Sequence, residues 1–174
     1  MSLAERRIPD GLVPRIISPA FGAMVFILAF YSLGFFTNLV QIRGVDKELY
    51  DRFQAYVRLL FDFSLAAIVV LVVLRMSGFR LWNSFGRFQF ALAALLALCM
   101  IVLSLYSLWR MPSFREAYLQ VNVEDVRIYY PDYEATTTVF SFGFVIFILN
   151  LLISGQFLAM LTARAIAGRR GVDS

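Results

Sequence analysis

The chain has 174 residues, of which 60% are hydrophobic and 16% are charged, with a formal net charge of +4 and no histidine. A soluble domain of this length cannot bury so much apolar surface, so the composition excludes an ordinary soluble fold and indicates a membrane protein. The lack of histidine removes the commonest general base, metal ligand and haem ligand.

Four apolar stretches predict four transmembrane helices, at about residues 16–40, 56–75, 88–109 and 139–163. The first, third and fourth contain no Asp, Glu, Lys or Arg. At 1.5 Å per residue, each of these three is long enough to cross a hydrocarbon core of about 30 Å. The first is also too long for the apolar region of a secretory signal, which is typically about 7 to 15 residues.

The second span is expected to be part of a longer helix. Apolar residues recur at helical spacing through residues 49–60, and Glu48 precedes Arg52 by four residues, the favourable order for a helical ion pair. Asp46 is the predicted N-cap. We therefore expect one helix from near Asp46 to near Arg75, beginning as an amphipathic stem outside the lipid.

The two polar connections, residues 41–55 and 110–138, are predicted to form exterior loops, since backbone groups there can bond to water. The second loop contains alternating apolar residues around an acidic pair, a pattern that predicts a short β-hairpin. The apolar residues of this pattern are Val121, Val123, Val126 and Ile128.

Three tyrosines follow the predicted hairpin, Tyr129, Tyr130 and Tyr133. Tyrosine is enriched at protein interfaces, so these three are candidates for contact with a partner. The alternative is that their rings lie at the headgroup level of the membrane, as aromatic belts do.

The short connection between the second and third spans, residues 75–87, carries three arginines and no acid. In a four-span chain this connection lies on the same side as both termini. Because positively charged connections remain on the cytoplasmic side, we expect both termini in the cytoplasm. Nine basic residues lie on that side: Arg6, Arg7, Arg15, Arg75, Arg80, Arg87, Arg164, Arg169 and Arg170.

Asp62 is the one carboxylate within a predicted span, and a carboxylate in a membrane is a candidate functional group. Arg58 precedes it by four residues, which predicts a structural ion pair between the two. The alternative is a transporter or channel for small molecules built around Asp62, Asn150 and Gln156.

Small and polar residues within the spans are predicted to mediate helix contacts, because they allow close approach and hydrogen bonding between helices. Asn150 is expected to contact the same bundle, with another chain or a ligand as alternatives. The other candidates are Ser154, Gly155, Gln156, Ala93, Ala97, Ser18 and Gly22.

The sequence contains no phosphate-binding loop, metal-ligand spacing or catalytic motif, and we expect no enzyme activity and no cofactor. Its single cysteine, Cys99, lies in an apolar span and is expected to be a packing residue. The excess positive charge flanks the membrane and is better explained by topology and anionic lipid than by nucleic acid.

These observations predict an all-α, polytopic membrane protein of one domain, a four-helix transmembrane bundle with a small polar exterior cap. In its layout of four spans and two exterior loops, this architecture is similar to membrane organisers such as MARVEL-type tetraspans. We expect a non-enzymatic protein that acts through lateral contacts, as a membrane organiser or as a small subunit of a complex. Its expected partners are membrane lipids and other membrane proteins or further copies of itself.

Overall fold

The computed structural model describes residues 12–81 and 85–170, with the side chains of all of these except residues 12, 36–38 and 168–170. The first two arginines of the topology count, Arg6 and Arg7, lie outside the described residues. In the described part the chain is almost entirely helical. Its elements are α1 (Leu12–Leu39), a 3-10 helix (Val40–Gly44), α2 (Lys47–Met76), α3 (Arg87–Leu119), α4 (Val123–Tyr129) and α5 (Thr138–Arg170).

Four of the described helices, α1, α2, α3 and α5, are long and apolar enough to cross a membrane. The shortest of them has 28 residues and is about 42 Å long. The predicted fold class, a four-helix transmembrane bundle with a small polar cap, is confirmed.

Helix α2 has the predicted extent. It has 30 residues, and the Asp46 side chain accepts a hydrogen bond from the Leu49 backbone N–H at 2.8 Å. Arg52 and Glu48 form the expected ion pair, with 3.2 Å between nitrogen and oxygen. Both partners are exposed, so the pair adds little stability, about 0.3 to 0.5 kcal/mol.

Helix α3 continues ten residues beyond the predicted span, to Leu119, and contains Pro112. Proline removes one backbone hydrogen bond. Its side chain is exposed and close to the end of the helix, where water can satisfy the freed carbonyl. Much of the predicted loop 110–138 is therefore helical.

The predicted β-hairpin is wrong: residues 123–129 form α4, and no strand occurs in the described residues. The Asn122 side chain caps this helix, accepting from the Glu124 N–H at 3.2 Å and donating to the Asp125 carboxylate at 2.9 Å. An asparagine cap followed by two acids favours the start of a helix. A two-stranded ribbon without further support is only marginally stable, so the local capping prevails.

The four long helices form a square arrangement with alternating direction. Helix α1 contacts α2 and α5, and α3 contacts α2 and α5, with the most extensive contact between α3 and α5. We call the end with α4 and the 3-10 helix the cap end, and the opposite end, where α1 begins and α5 ends, the tail end. At the tail end, the Gln89 side chain donates to the Ser77 carbonyl at 2.7 Å and links the end of α2 to the start of α3.

Aromatic side chains fill the bundle near the cap end. The ring of Phe35 lies 5.9 Å from that of Phe53 and 5.4 Å from that of Phe140, in edge-to-face geometry. Phe53 in turn lies 5.1 Å from Phe114. Each such pair contributes about 0.5 to 1.5 kcal/mol beyond the burial of area. The cluster joins all four long helices.

Gly143 lies where α5 approaches α1 and α3. A Cβ atom at this position would clash with the Tyr31 hydroxyl and lie 2.9 Å from the Met111 terminal methyl group. The Tyr31 hydroxyl donates to the Val139 carbonyl of α5 at 3.1 Å. The absence of a side chain at Gly143 therefore makes room for this hydrogen bond between helices.

Gly143→Ala is expected to destabilise the bundle by about 1 to 3 kcal/mol, because the new methyl group displaces Tyr31 and Met111. The measurement is the free energy of unfolding in detergent. Gly155→Ala in the same helix is the matched control, since a Cβ atom added there would have no atom within 4 Å. We expect it to be neutral or to stabilise by up to about 1 kcal/mol through helix propensity. Equal effects of the two substitutions would contradict the packing assigned to Gly143.

Candidate functional site

Asn150 lies fully buried between α5 and α3, at the centre of a hydrogen-bond network. Its amide nitrogen donates to the Ser104 hydroxyl oxygen at 2.6 Å and to the Met100 carbonyl at 3.2 Å. Ser154, one turn further along α5, donates to the Asn150 side-chain oxygen at 3.2 Å. The structure thus places Asn150 in contact with its own bundle.

Ser104 completes the network by donating to the Met100 carbonyl at 2.9 Å. Sequence reasoning missed Ser104 and also Ser107, one turn further along α3. A signal was present, because polar residues within an apolar span tend to face other helices. The buried Ser107 hydroxyl and the buried Tyr56 hydroxyl of α2 lie near each other at the contact between α2 and α3.

The other predicted contact residues divide into two groups. Ala93 and Ala97 of α3 are fully buried, which allows close helix packing. Ser18, Gly22 and Gly155 are partly buried, and a Cβ atom added at either glycine would have no atom within 4 Å. Gln156 is exposed on the outer surface of the bundle.

Arg58 and Asp62 lie on the exposed surface of α2, and the predicted ion pair between them is not formed. The ion pair that the described residues form is the one between Arg52 and Glu48. A basic residue that precedes an acidic one is the weaker order for a helical pair, and exposed pairs gain little. Both charges are therefore available on the side of the bundle.

Tyr133 is buried, with 2% of its surface exposed, so it is not available to a partner. Its hydroxyl donates to the Tyr118 hydroxyl at 2.9 Å, and its carbonyl accepts from the Arg127 side chain at 3.0 Å. Burial, and secondly the hydrogen bond to Tyr118, raise the pKa of Tyr133 above that of a free tyrosine. Tyr133 thus fastens the segment after α4 to the end of α3.

Ile128, Tyr129 and Tyr130, by contrast, are 74%, 66% and 43% exposed. We call these three residues the cap ridge. Val126 of α4 is fully buried, and Ile128, two residues further along, lies on the opposite side of this helix. Tyr129 is the last residue of α4, and Tyr130 directly follows it. Exposed acids flank the ridge on both sides in sequence: Glu124, Asp125, Asp132 and Glu134.

No metal site is evident within residues 12–81 and 85–170, where no three His, Cys, Asp or Glu side chains lie together. Cys99 is partly buried in α3. The described side chains form hydrogen bonds inside the bundle and expose aromatic and charged groups on its surface.

The fold and these surfaces define an integral, multi-pass membrane protein whose four long helices form a bundle. No known family model, curated protein or solved structure matches the chain.

Asn150→Leu is expected to destabilise the bundle by about 2 kcal/mol, because it removes three interior hydrogen bonds worth about 0.6 kcal/mol each on average. Gln156→Leu, at an exposed position of the same helix, is the matched control and is expected to have little effect. Thermal unfolding in detergent measures both. An Asn150→Leu protein as stable as the parent would show that the network adds nothing to the α3–α5 contact.

Proposed function

We propose that this chain is a non-enzymatic integral membrane protein that acts through lateral contacts with other proteins and lipids in its membrane, as a membrane-organising tetraspan or as a small subunit of a complex. The observation that carries the proposal is the cap ridge. It exposes one isoleucine and two tyrosines in succession at the end of α4, a short helix that is anchored by the buried Val126.

The composition of the ridge supports a protein partner. Tyrosine supplies a large apolar ring and a polar hydroxyl at a low cost in conformational entropy, and it is enriched in interfaces. The neighbouring acids would favour a partner with basic residues. In the alternative, the tyrosine rings lie among lipid headgroups, and the cap ridge then contacts lipid and no protein.

Arg58 and Asp62 supply a second surface for lateral contact. A charged carboxylate at the level of the hydrocarbon is costly when it has no partner. Asp62 is exposed on α2 and forms no ion pair with the described basic residues. An opposite charge on a neighbouring protein would stabilise it.

The transporter alternative requires Asp62, Asn150 and Gln156 to line one path. Asp62 lies on the outer surface of α2, Asn150 faces α3 inside the bundle, and Gln156 is on the outer surface of α5. Helices α2 and α5 lie diagonally opposite each other in the bundle. Since no single path joins the three side chains, lateral contact is the function that the geometry favours.

The proposed orientation has both termini in the cytoplasm. All nine acidic residues between Asp46 and Glu134 belong to α2, the end of α3 or the cap, whereas residues 63–115 and 135–170 contain none. At the tail end, the connection between α2 and α3 carries Arg75, Arg80 and Arg87 and no acid, and such a basic connection favours the cytoplasmic side.

A photo-reactive amino acid at Ile128 is expected to form a discrete protein adduct in native membranes, because the cap ridge contacts a partner. The measurement is the mass of the adduct after denaturing electrophoresis. Val102, which is 64% exposed in the middle of α3, is the control for a side chain that contacts lipid. A dimer-sized adduct would identify the partner as a second copy. Lipid adducts alone at both positions would contradict a protein partner at the ridge.

Cysteine labelling in intact cells tests the orientation. In a Cys99→Ala background, Gln120→Cys at the cap end is expected to react with an impermeant reagent, and Arg87→Cys at the tail end only after permeabilisation. Both native side chains are exposed, which makes the two positions comparable. The reverse pattern of labelling would place the termini outside the cytoplasm.

A further inference from the structure

A cavity of about 360 Å³ opens at the tail end, between α1, the end of α2 and α5. Three arginines line it: Arg15 of α1, Arg75 of α2 and Arg80 just beyond α2. All three are exposed. Three positive charges therefore converge on one opening at the end of a transmembrane bundle.

The turn after α2 positions the third arginine. Gly78 has φ of +77°, a left-handed conformation that favours glycine. The Phe79 N–H bonds to the Leu74 carbonyl at 3.0 Å and the Gly78 N–H to the Arg75 carbonyl at 3.1 Å, which is the Schellman pattern. This turn reverses the chain so that Phe79 and Arg80 both line the cavity.

Aromatic side chains line the interior of the cavity. Phe21 of α1 and Phe157 of α5 are buried and stack with ring centres 4.3 Å apart and planes 8° apart. Phe79 lies 6.5 Å from Phe157. The cavity thus combines an apolar wall formed by packed rings with a cationic rim.

No acidic side chain of the described residues pairs with these three arginines. The described ion pair, Arg52 with Glu48, lies at the cap end, and the described segments around the cavity, residues 12–45, 63–81 and 135–170, contain no acid. A guanidinium group forms bidentate hydrogen bonds with phosphate. The charge complement of this rim is therefore an anion supplied from outside the described chain.

We infer that this cavity binds the headgroup of an anionic phospholipid, with the phosphate on Arg15, Arg75 and Arg80 and the first acyl carbons against Pro19 and Leu71 of the lining. Basic pockets between helices on the cytoplasmic side of membrane proteins are suited to such headgroups. The volume is at the lower end of the range for ligand pockets, about 300 to 1,000 Å³, which suits a headgroup rather than a whole lipid.

The apolar lining favours a lipid over free phosphate, because phosphate alone would leave the accessible side chains of Pro19 and Leu71 without a contact. The inference deepens the proposed function and rests on its lipid contacts, since it names the lipid class and the site. It is independent of any protein partner of the cap ridge, so a test on the purified chain can fail while cross-linking at Ile128 succeeds.

The test is native mass spectrometry of the purified full chain with phosphatidylglycerol or phosphatidylcholine. We expect phosphatidylglycerol to bind more tightly. Arg75→Gln should weaken its binding about fivefold, and the triple substitution Arg15→Gln, Arg75→Gln, Arg80→Gln on the order of 100-fold, from about 1 kcal/mol for each arginine near an anionic surface. Thermal unfolding of each variant checks that it is folded.

Arg87→Gln is the matched control, because Arg87 is exposed at the tail end but does not line the cavity. It should leave binding unchanged. An equal loss of phosphatidylglycerol binding in Arg87→Gln and Arg75→Gln would show that the lipid is attracted by the overall charge of the tail end and would overturn the proposed site. Unchanged binding in the triple variant would also overturn it.

Two further outcomes would assign the cavity to another occupant. Competition by glycerol phosphate as strong as that by phosphatidylglycerol would indicate a site for free phosphate. A parent chain that binds no phosphatidylglycerol, together with a Glu5→Gln, Asp10→Asn variant that does, would assign the cavity to the chain's own N-terminal segment. Either result overturns the inference.

Discussion

In hydrocarbon, apolar side chains gain nothing from meeting one another, so helices must associate through close packing and hydrogen bonds. This constraint explains how α5 contacts its two neighbours, α1 and α3. Asn150 donates two hydrogen bonds to α3, and Gly143 admits the Tyr31 hydroxyl of α1. On α5, Asn150 thus stabilises the contact with α3, and Gly143 allows the close contact with α1.

The cap end depends on different physics, because water surrounds the stem of α2 and the end of α3. There the burial of aromatic side chains is favourable in itself. Phe53 and Phe114 meet between the two helices, and Tyr133 brings the following segment against Tyr118. The same segment leaves Ile128 and Tyr129 exposed.

Sequence patterns predicted a structural feature correctly where that feature depends on the residues of one helix alone. The Asp46 cap and the length of α2 follow from its own residues and are confirmed. The predicted hairpin is wrong because the Asn122 cap and the two acids that follow it favour a helix more strongly than the alternating valines favour a strand. The predicted Arg58–Asp62 pair is not formed, because correct spacing on a helix does not by itself bring two exposed side chains together. Tyr129 and Tyr133, equivalent in the sequence, differ in burial because only one of them faces α3.

By itself, the sequence determined which segments are suited to lipid, which are suited to water, and how many spans there are. Hydropathy and length are properties of continuous stretches of chain, so they can be read without the fold. Only the tertiary structure decided which way each helix faces. The rotation of each helix about its own axis pairs Asn150 with Ser104, 46 residues away, and brings the Tyr31 hydroxyl to the Val139 carbonyl, 108 residues away. It also gathers arginines from α1 and from the end of α2 around one cavity. These contacts depend on distances between helices, for which one sequence carries no local signal.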